Sequence, residues 1–199
     1  MKIKNAELMK SARESLRGKW GIAVSGFLIY CILSFSLGAI PIIGPIIALI
    51  IGGPLTLGLA IFSLAIARRS DVRIELIFEG FQDFSRALVA YLLVAIFILL
   101  WLLLLIIPGI IAAFSYALTF YIMADDKSIS ARDAISKSKK MMNGYKWKLF
   151  CLYLRFIGWF ILGILSLFIG FLWIGPYLQI SVAKFYEDVK ANYEATVNQ

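Results

Sequence analysis

Three groups of side chains in this 199-residue sequence are equipped for chemistry. The first is the carboxylate pair Asp125-Asp126, which suggests divalent-cation binding. No further carboxylate stands at a recognised ligand spacing, so the pair reads as a boundary at the end of an apolar stretch. The second is a basic run, Lys137, Lys139, Lys140, Lys146 and Lys148, matched near the N-terminus by Arg13 and Lys19. Cations at this density attract phosphate-bearing surfaces, each contributing about 1 kcal/mol beside an anionic leaflet. The third is Arg155, a lone charge inside an apolar stretch. It reads either as an arginine snorkelling to a nearby boundary or as a contact to a buried polar partner or anionic substrate.

Histidine is absent, which removes the commonest general base and metal ligand. Cys31 and Cys151 both fall in apolar segments and form no CxxC pair. Glu75, Glu79, Gln82 and Asp83 read as the wet face of a helix rather than as an acid/base pair. No catalytic residue, metal site or cofactor is expected, and no nucleic-acid recognition motif is visible. The expected role is non-enzymatic.

The elements that position these groups are apolar. Hydrophobic residues make up 61% of the chain and charged ones 16%, against about 25% charged in soluble domains. Ala87 to Ala124 is free of charge and is split by Pro108-Gly109. A bilayer core about 30 Å thick takes roughly 20 apolar residues per helical crossing. Ile96 to Ile107 does not alternate, so a barrel strand is excluded and a helix remains. Proline suits a helix's first turn, so Pro108-Gly109 marks a turn and the start of a return helix.

The same unit stands before and after. Trp20 to Ala67 is charge-free, with a turn at Pro41, Gly44 and Pro45. Its return arm carries Gly52-Gly53-Pro54, read as a kink, an outer loop or a binding-site break. Leu149 to Ala183 holds one charge, Arg155, with a turn near Ser166 to Gly170. The expectation is one all-α membrane domain over 1–199, with six transmembrane helices as three hairpins at 20–67, 87–124 and 149–186. Each hairpin follows an amphipathic interfacial helix, within 1–19, 68–86 and 125–148.

Leu8, Ala12, Leu16 and Trp20 share one helical face, with Asn5 as N-cap, so the first of these lies on the membrane surface. In the connector, Asp71 caps a helix bearing Ile74, Ile77, Phe78, Phe81, Phe84 and Leu88. In the third, Ser130 and Asp133 form a capping box and the helix stops near Asn143-Gly144. The tail, 187–199, is polar and frayed from Lys184 onward. No two glycines are spaced by four, so no dimer motif is claimed.

Of 20 Lys and Arg, 19 lie in the N-terminal segment, the two connectors or the tail, and the three turns carry none. The positive-inside rule then places both termini and both connectors in the cytoplasm of a cell membrane. Lys10-Ser11, Arg13 and Lys19-Trp20 correspond to Lys137-Ser138, Lys140 and Lys146-Trp147 at one offset. This reads as an internal repeat, with chance likeness of two basic helices as the alternative. Trp20 and Trp147 are then interfacial anchors at equivalent depth.

Several runs resemble a family of bacterial membrane proteins catalogued as domain of unknown function 975. They are Ala12 to Gly21, Phe78-Glu79-Gly80-Phe81, Ile107 to Ile111, Ala124-Asp125-Asp126, Ala134 to Trp147, Phe156 to Trp159, and Pro176-Tyr177. The resemblance implies a polytopic protein of Gram-positive-type bacteria and no activity. Arg155 departs from its pattern, which favours a small polar residue there. A weaker, architectural likeness is to the membrane domain beside some glycerophosphodiester phosphodiesterases. That catalytic domain is missing here, so no such activity transfers.

The expected partners are lipids of the anionic inner leaflet, with a membrane protein or a second copy as further candidates. Arg155, Lys137, Lys139, Lys140, Lys146, Arg13 and Lys19 are the candidate contacts. The alternative is a transporter or channel subunit for an anionic or apolar substrate.

Overall fold

Gly58 is pressed so closely against the chain at Ile77 that a Cβ would lie 1.8 Å from the Ile77 carbonyl oxygen. That approach joins two of the ten helices in a computed structural model that describes residues 3–38 and 44–197. They are α1 (Asn5–Leu16), α2 (Trp20–Gly38), α3 (Gly44–Ala67), α4 (Leu76–Glu79) and α5 (Phe84–Leu104). There follow α6 (Ile106–Tyr116), α7 (Thr119–Asp125), α8 (Ala131–Met141), α9 (Lys146–Leu165) and α10 (Phe171–Val197). The chain is all-helical, with no strand among the described residues.

Among the described residues, four segments are long and apolar enough to cross a membrane: α3, α5, the α6–α7 pair and α9. A fifth is gained if α1 and α2, bent by 100°, count as one broken span. The sequence expectation of six is not reached. In α10 the apolar part ends at Ala183, after 13 residues, and 13 residues at 1.5 Å each rise only about 20 Å.

The helix breaks fall where backbone chemistry asks for them. Leu105 is extended between α5 and α6, and Pro108 sits in the first turn of α6, where its missing N–H costs nothing. The α9–α10 turn spans 166–170, with Leu167 and Phe168 at positive φ. At the first turn, Gly44 and Pro45 open α3; Pro41 lies outside the described residues.

The core occupies one end of the bundle. Leu8, Ala12 and Leu16 of α1, Leu57 and Ile66 of α3, Ile122 and Met123 of α7, Ala134 and Met141 of α8, and Phe185 and Val189 of α10 are buried together. The opposite end is bare hydrocarbon. Leu103 at the α5 tip is 84% exposed and Leu167 at the α9 tip is 82% exposed, with Leu104 to Ile107 and Phe168 also exposed. Exposed apolar patches of this kind mark a surface that contacts a membrane or another protein.

Four expectations need correction. First, the apolar stripe of α1 does not lie in lipid. It is buried against the protein, chiefly α10, with α3 and α9 beside it. Second, Asn5 is not the cap. Lys4 occupies that position, and the Asn5 amide instead donates to the Lys148 carbonyl at 2.9 Å. Third, Asp71 starts no helix. It pairs with Arg73 at 3.3 Å, and α4 is a single turn beginning at Leu76. Gly80 packs so tightly on the Pro54 carbonyl that the chain turns there rather than continuing. Fourth, the tail is not frayed through 197. α10 runs on past Lys184 because Val182, Phe185 and Val189 continue its buried face.

The serine half of the expected capping box is present, while the Asp133 carboxylate bonds the Ser130 hydroxyl instead of a backbone N–H. That hydroxyl accepts from the Asp133 amide at 3.2 Å and donates to the Asp133 carboxylate at 2.6 Å. Gly144, at positive φ, follows the end of α8. Ser130→Ala should cost about 1 kcal/mol of stability, the usual loss for an N-cap. A thermal unfolding midpoint in detergent equal to that of the parent chain would show that the cap contributes nothing.

Candidate functional site

The base of the bundle is held by charge. Arg68, at the end of α3, reaches Asp125 at 2.6 Å and Glu187 at 2.7 Å. Asp125 also accepts from Lys190, and from the Tyr186 hydroxyl at 2.9 Å. The hydrogen bond to Asp125 holds Lys190 above the ordinary lysine value. Asp125 is therefore a hub tying α3, α7 and α10. Asp126 points elsewhere and accepts from the Ser128 hydroxyl at 2.6 Å, which holds its carboxyl below the usual range. The pair diverges, and its boundary role takes this concrete form.

Two further ion pairs escape sequence reasoning. Lys148 meets Asp188 at 2.6 Å, with side chains only 15% and 2% exposed. Arg86 pairs with Asp83 at 2.7 Å and donates to the carbonyls of Asp126 at 3.0 Å and Ile129 at 3.2 Å. The signal for Asp188 was present: Leu178, Val182, Phe185 and Val189 step by four, three and four, a helical stripe continuing past the last apolar stretch.

The predicted cations do not form one site. Lys19 is structural, its ammonium donating to the Ser70 carbonyl at 2.8 Å. Arg13 lines a cavity of about 130 Å³ with Trp20, Trp159, Trp173 and Tyr177. Lys139, exposed, and Lys146, half-buried, line a cavity of about 210 Å³ with Trp101, Pro108, Ile111, Ala112, Ser115 and Tyr116. Lys139 and Tyr116 also line an adjoining cavity of about 580 Å³, with Arg132, Ser136, Leu93 and Phe97. Lys137 is half-buried and Lys140 exposed on α8, outside both cavities. Among the described residues, no carboxylate comes within 4.0 Å of Arg132, Lys139, Lys140 or Lys146.

Arg155 is exposed on α9, and no carboxylate lies within 4.0 Å of it among the described residues. Its side chain is exposed and is not turned into the bundle. Trp20 and Trp147 differ in setting: Trp20 is half-buried at the Arg13 cavity, whereas Trp147 is 72% exposed with its ring 5.1 Å from Phe150.

The cavity at Lys146 also bears on topology. Pro108 and Trp101 flank the α5–α6 turn, expected on the face opposite the lysines. Both share a wall with Lys139 and Lys146. A void of this volume does not bridge roughly 30 Å of hydrocarbon. The flanks of the turn and the two lysines therefore line one cavity. At the other suspected break, α3 continues through Pro54. Gly53 closes onto α5 there, a Cβ lying 2.6 Å from the Ala87 carbonyl oxygen.

A family model described as "Protein of unknown function (DUF975)" matches residues 1–119 and 102–193. No curated protein and no solved structure matches the chain. The likeness to the domain beside glycerophosphodiester phosphodiesterases gains no support from these comparisons.

Proposed function

From the premise that the chain belongs to the DUF975 family, which hands down no assigned activity, we propose a non-enzymatic, lipid-binding protein of the cell membrane. Its three hairpins enter the bilayer from one basic side, and the α5–α6 turn stays in hydrocarbon. The basic base faces the cytoplasm, as the distribution of lysine and arginine asks. The observation that carries this reading is a set of cations beside apolar walls, Arg132, Lys139 and Lys146, with no carboxylate within 4.0 Å among the described residues. Elsewhere at the base, Arg68, Arg86, Lys148 and Lys190 are all matched by carboxylates. An anionic membrane surface supplies the missing counter-charge, about 1 kcal/mol per cation.

Catalysis finds no support in the carboxylates of the base. Asp125 and Asp188 are both engaged by cations in structural pairs. Transport loses two of its motives, since Arg155 faces outward and Gly53 seals α3 against α5. The order of α1, a positive-φ Gly18 and α2 is echoed by α8, a positive-φ Gly144 and α9, which supports the repeat.

Protein extracted in mild detergent should carry anionic phospholipid enriched over the composition of its source membrane. The enrichment should fall as salt rises, because exposed charges are screened. Co-purified lipid with the membrane's own composition at all salt concentrations would refute the reading.

A further inference from the structure

We propose that the groove between α5, α6 and α8 holds one anionic two-chain phospholipid, its phosphate between Lys139 and Lys146. This rests on the lipid-binding reading above and gives it a place. The two adjoining cavities meet at Tyr116 and Lys139, and each combines basic and polar side chains with apolar ones. Arg132, Ser136, Lys139 and Lys146 supply donors and positive charge. Phe97, Trp101, Ile111 and Ala112 supply an apolar wall that runs on toward the α5–α6 turn.

Charge complementarity selects the occupant. Lys139 and Lys146 come from different helices, are held near one void, and lack a carboxylate within 4.0 Å among the described residues. Like charges gathered beside a low-dielectric wall repel until an anion joins them. A soluble anion would leave the wall wet, whereas a phospholipid satisfies both halves. Basic pockets between membrane helices are a recurrent headgroup site. Trp101 and Pro108, which flank the α5–α6 turn, line the same cavity, so a chain hanging from the phosphate follows the hairpin toward that turn. The Arg13 cavity is smaller and offers one cation, so it is the weaker candidate.

The test uses the full chain in detergent, offered equal phosphatidylglycerol and phosphatidylcholine, with bound lipid counted by native mass spectrometry. The parent chain should retain one phosphatidylglycerol. Lys139→Ala with Lys146→Ala should weaken that binding about 30-fold, from about 1 kcal/mol per lysine. Ile111→Trp keeps every charge and crowds the groove from an exposed position, so it should reduce retention as well. Lys137→Ala with Lys140→Ala removes the same charge outside the groove and should change binding less than about 3-fold. If that control loses as much as the groove pair while Ile111→Trp retains lipid, the groove is wrong and diffuse attraction to the basic face survives. If the parent chain shows no preference for phosphatidylglycerol, the groove and the broader reading both fall.

Discussion

Replacing Asp188 with alanine should be the most damaging single change in this protein, at about 3–5 kcal/mol. Its carboxylate is 2% exposed and bonded to Lys148 at 2.6 Å. It also accepts from the Ile3 amide at 3.3 Å and the Asn192 side chain at 3.2 Å. The Lys148 ammonium is flanked by the Tyr145 and Phe185 rings at 5.8 and 5.7 Å. With the carboxylate gone, that ammonium stays buried and loses its anion, which is why removing one partner costs more than the pair contributes. The check is thermal unfolding of the detergent-solubilised chain. Asp188→Ala should lower the midpoint sharply, and Asp188→Leu combined with Lys148→Met should recover much of the loss. A midpoint equal to the parent's would mean that the pair is wet and incidental.

The second large effect is Gly58→Ala, expected to cost about 3 kcal/mol, the upper end for overpacking. A new Cβ would meet the Ile77 carbonyl oxygen at 1.8 Å, and backbone cannot swing aside as a side chain does. Gly80→Ala strikes the same interface at the Pro54 carbonyl, 2.0 Å away. The two losses should therefore be less than additive. Gly21→Ala is the control. Nothing lies within 4 Å of its added Cβ, and alanine favours helix. If Gly58→Ala and Gly21→Ala melt alike, α3 and α4 are not in the contact described.

These two residues show where sequence reading stops. No two glycines stand four apart to mark a single packing stripe. Gly53 and Gly58 instead approach two different elements, α5 and the chain at α4. No periodicity announces contacts to separate partners. Asp188 is hidden in sequence because the apolar run ends at Ala183 and the polar tail beyond it suggests fraying. The stripe through Phe185 and Val189 carried the helix on. By contrast, Ser130 with Asp133 was legible because capping is local, needing only neighbours in sequence. The face of α1 was legible too, as Leu8, Ala12 and Leu16, but its partner was not. Amphipathic pattern states that a face must be covered and is silent on whether lipid or protein covers it. For the candidate site, residue types gave the cations. Only the fold separates Lys19, tied to Ser70, from Lys139 and Lys146 at a shared cavity.

Everything functional depends on the apolar tips staying in oil while the cationic base stays in water. Labelling of single cysteines with a membrane-impermeant maleimide in sealed cells and inverted vesicles tests this most directly. The background is Cys31→Ser with Cys151→Ser, and the probes are Leu105→Cys at the α5–α6 turn and Ser128→Cys at the base. The account predicts that Ser128→Cys labels only in inverted vesicles, and that Leu105→Cys resists the reagent from both sides until detergent is added. Rapid labelling of Leu105→Cys in sealed cells, or of Ser128→Cys from outside, would contradict it.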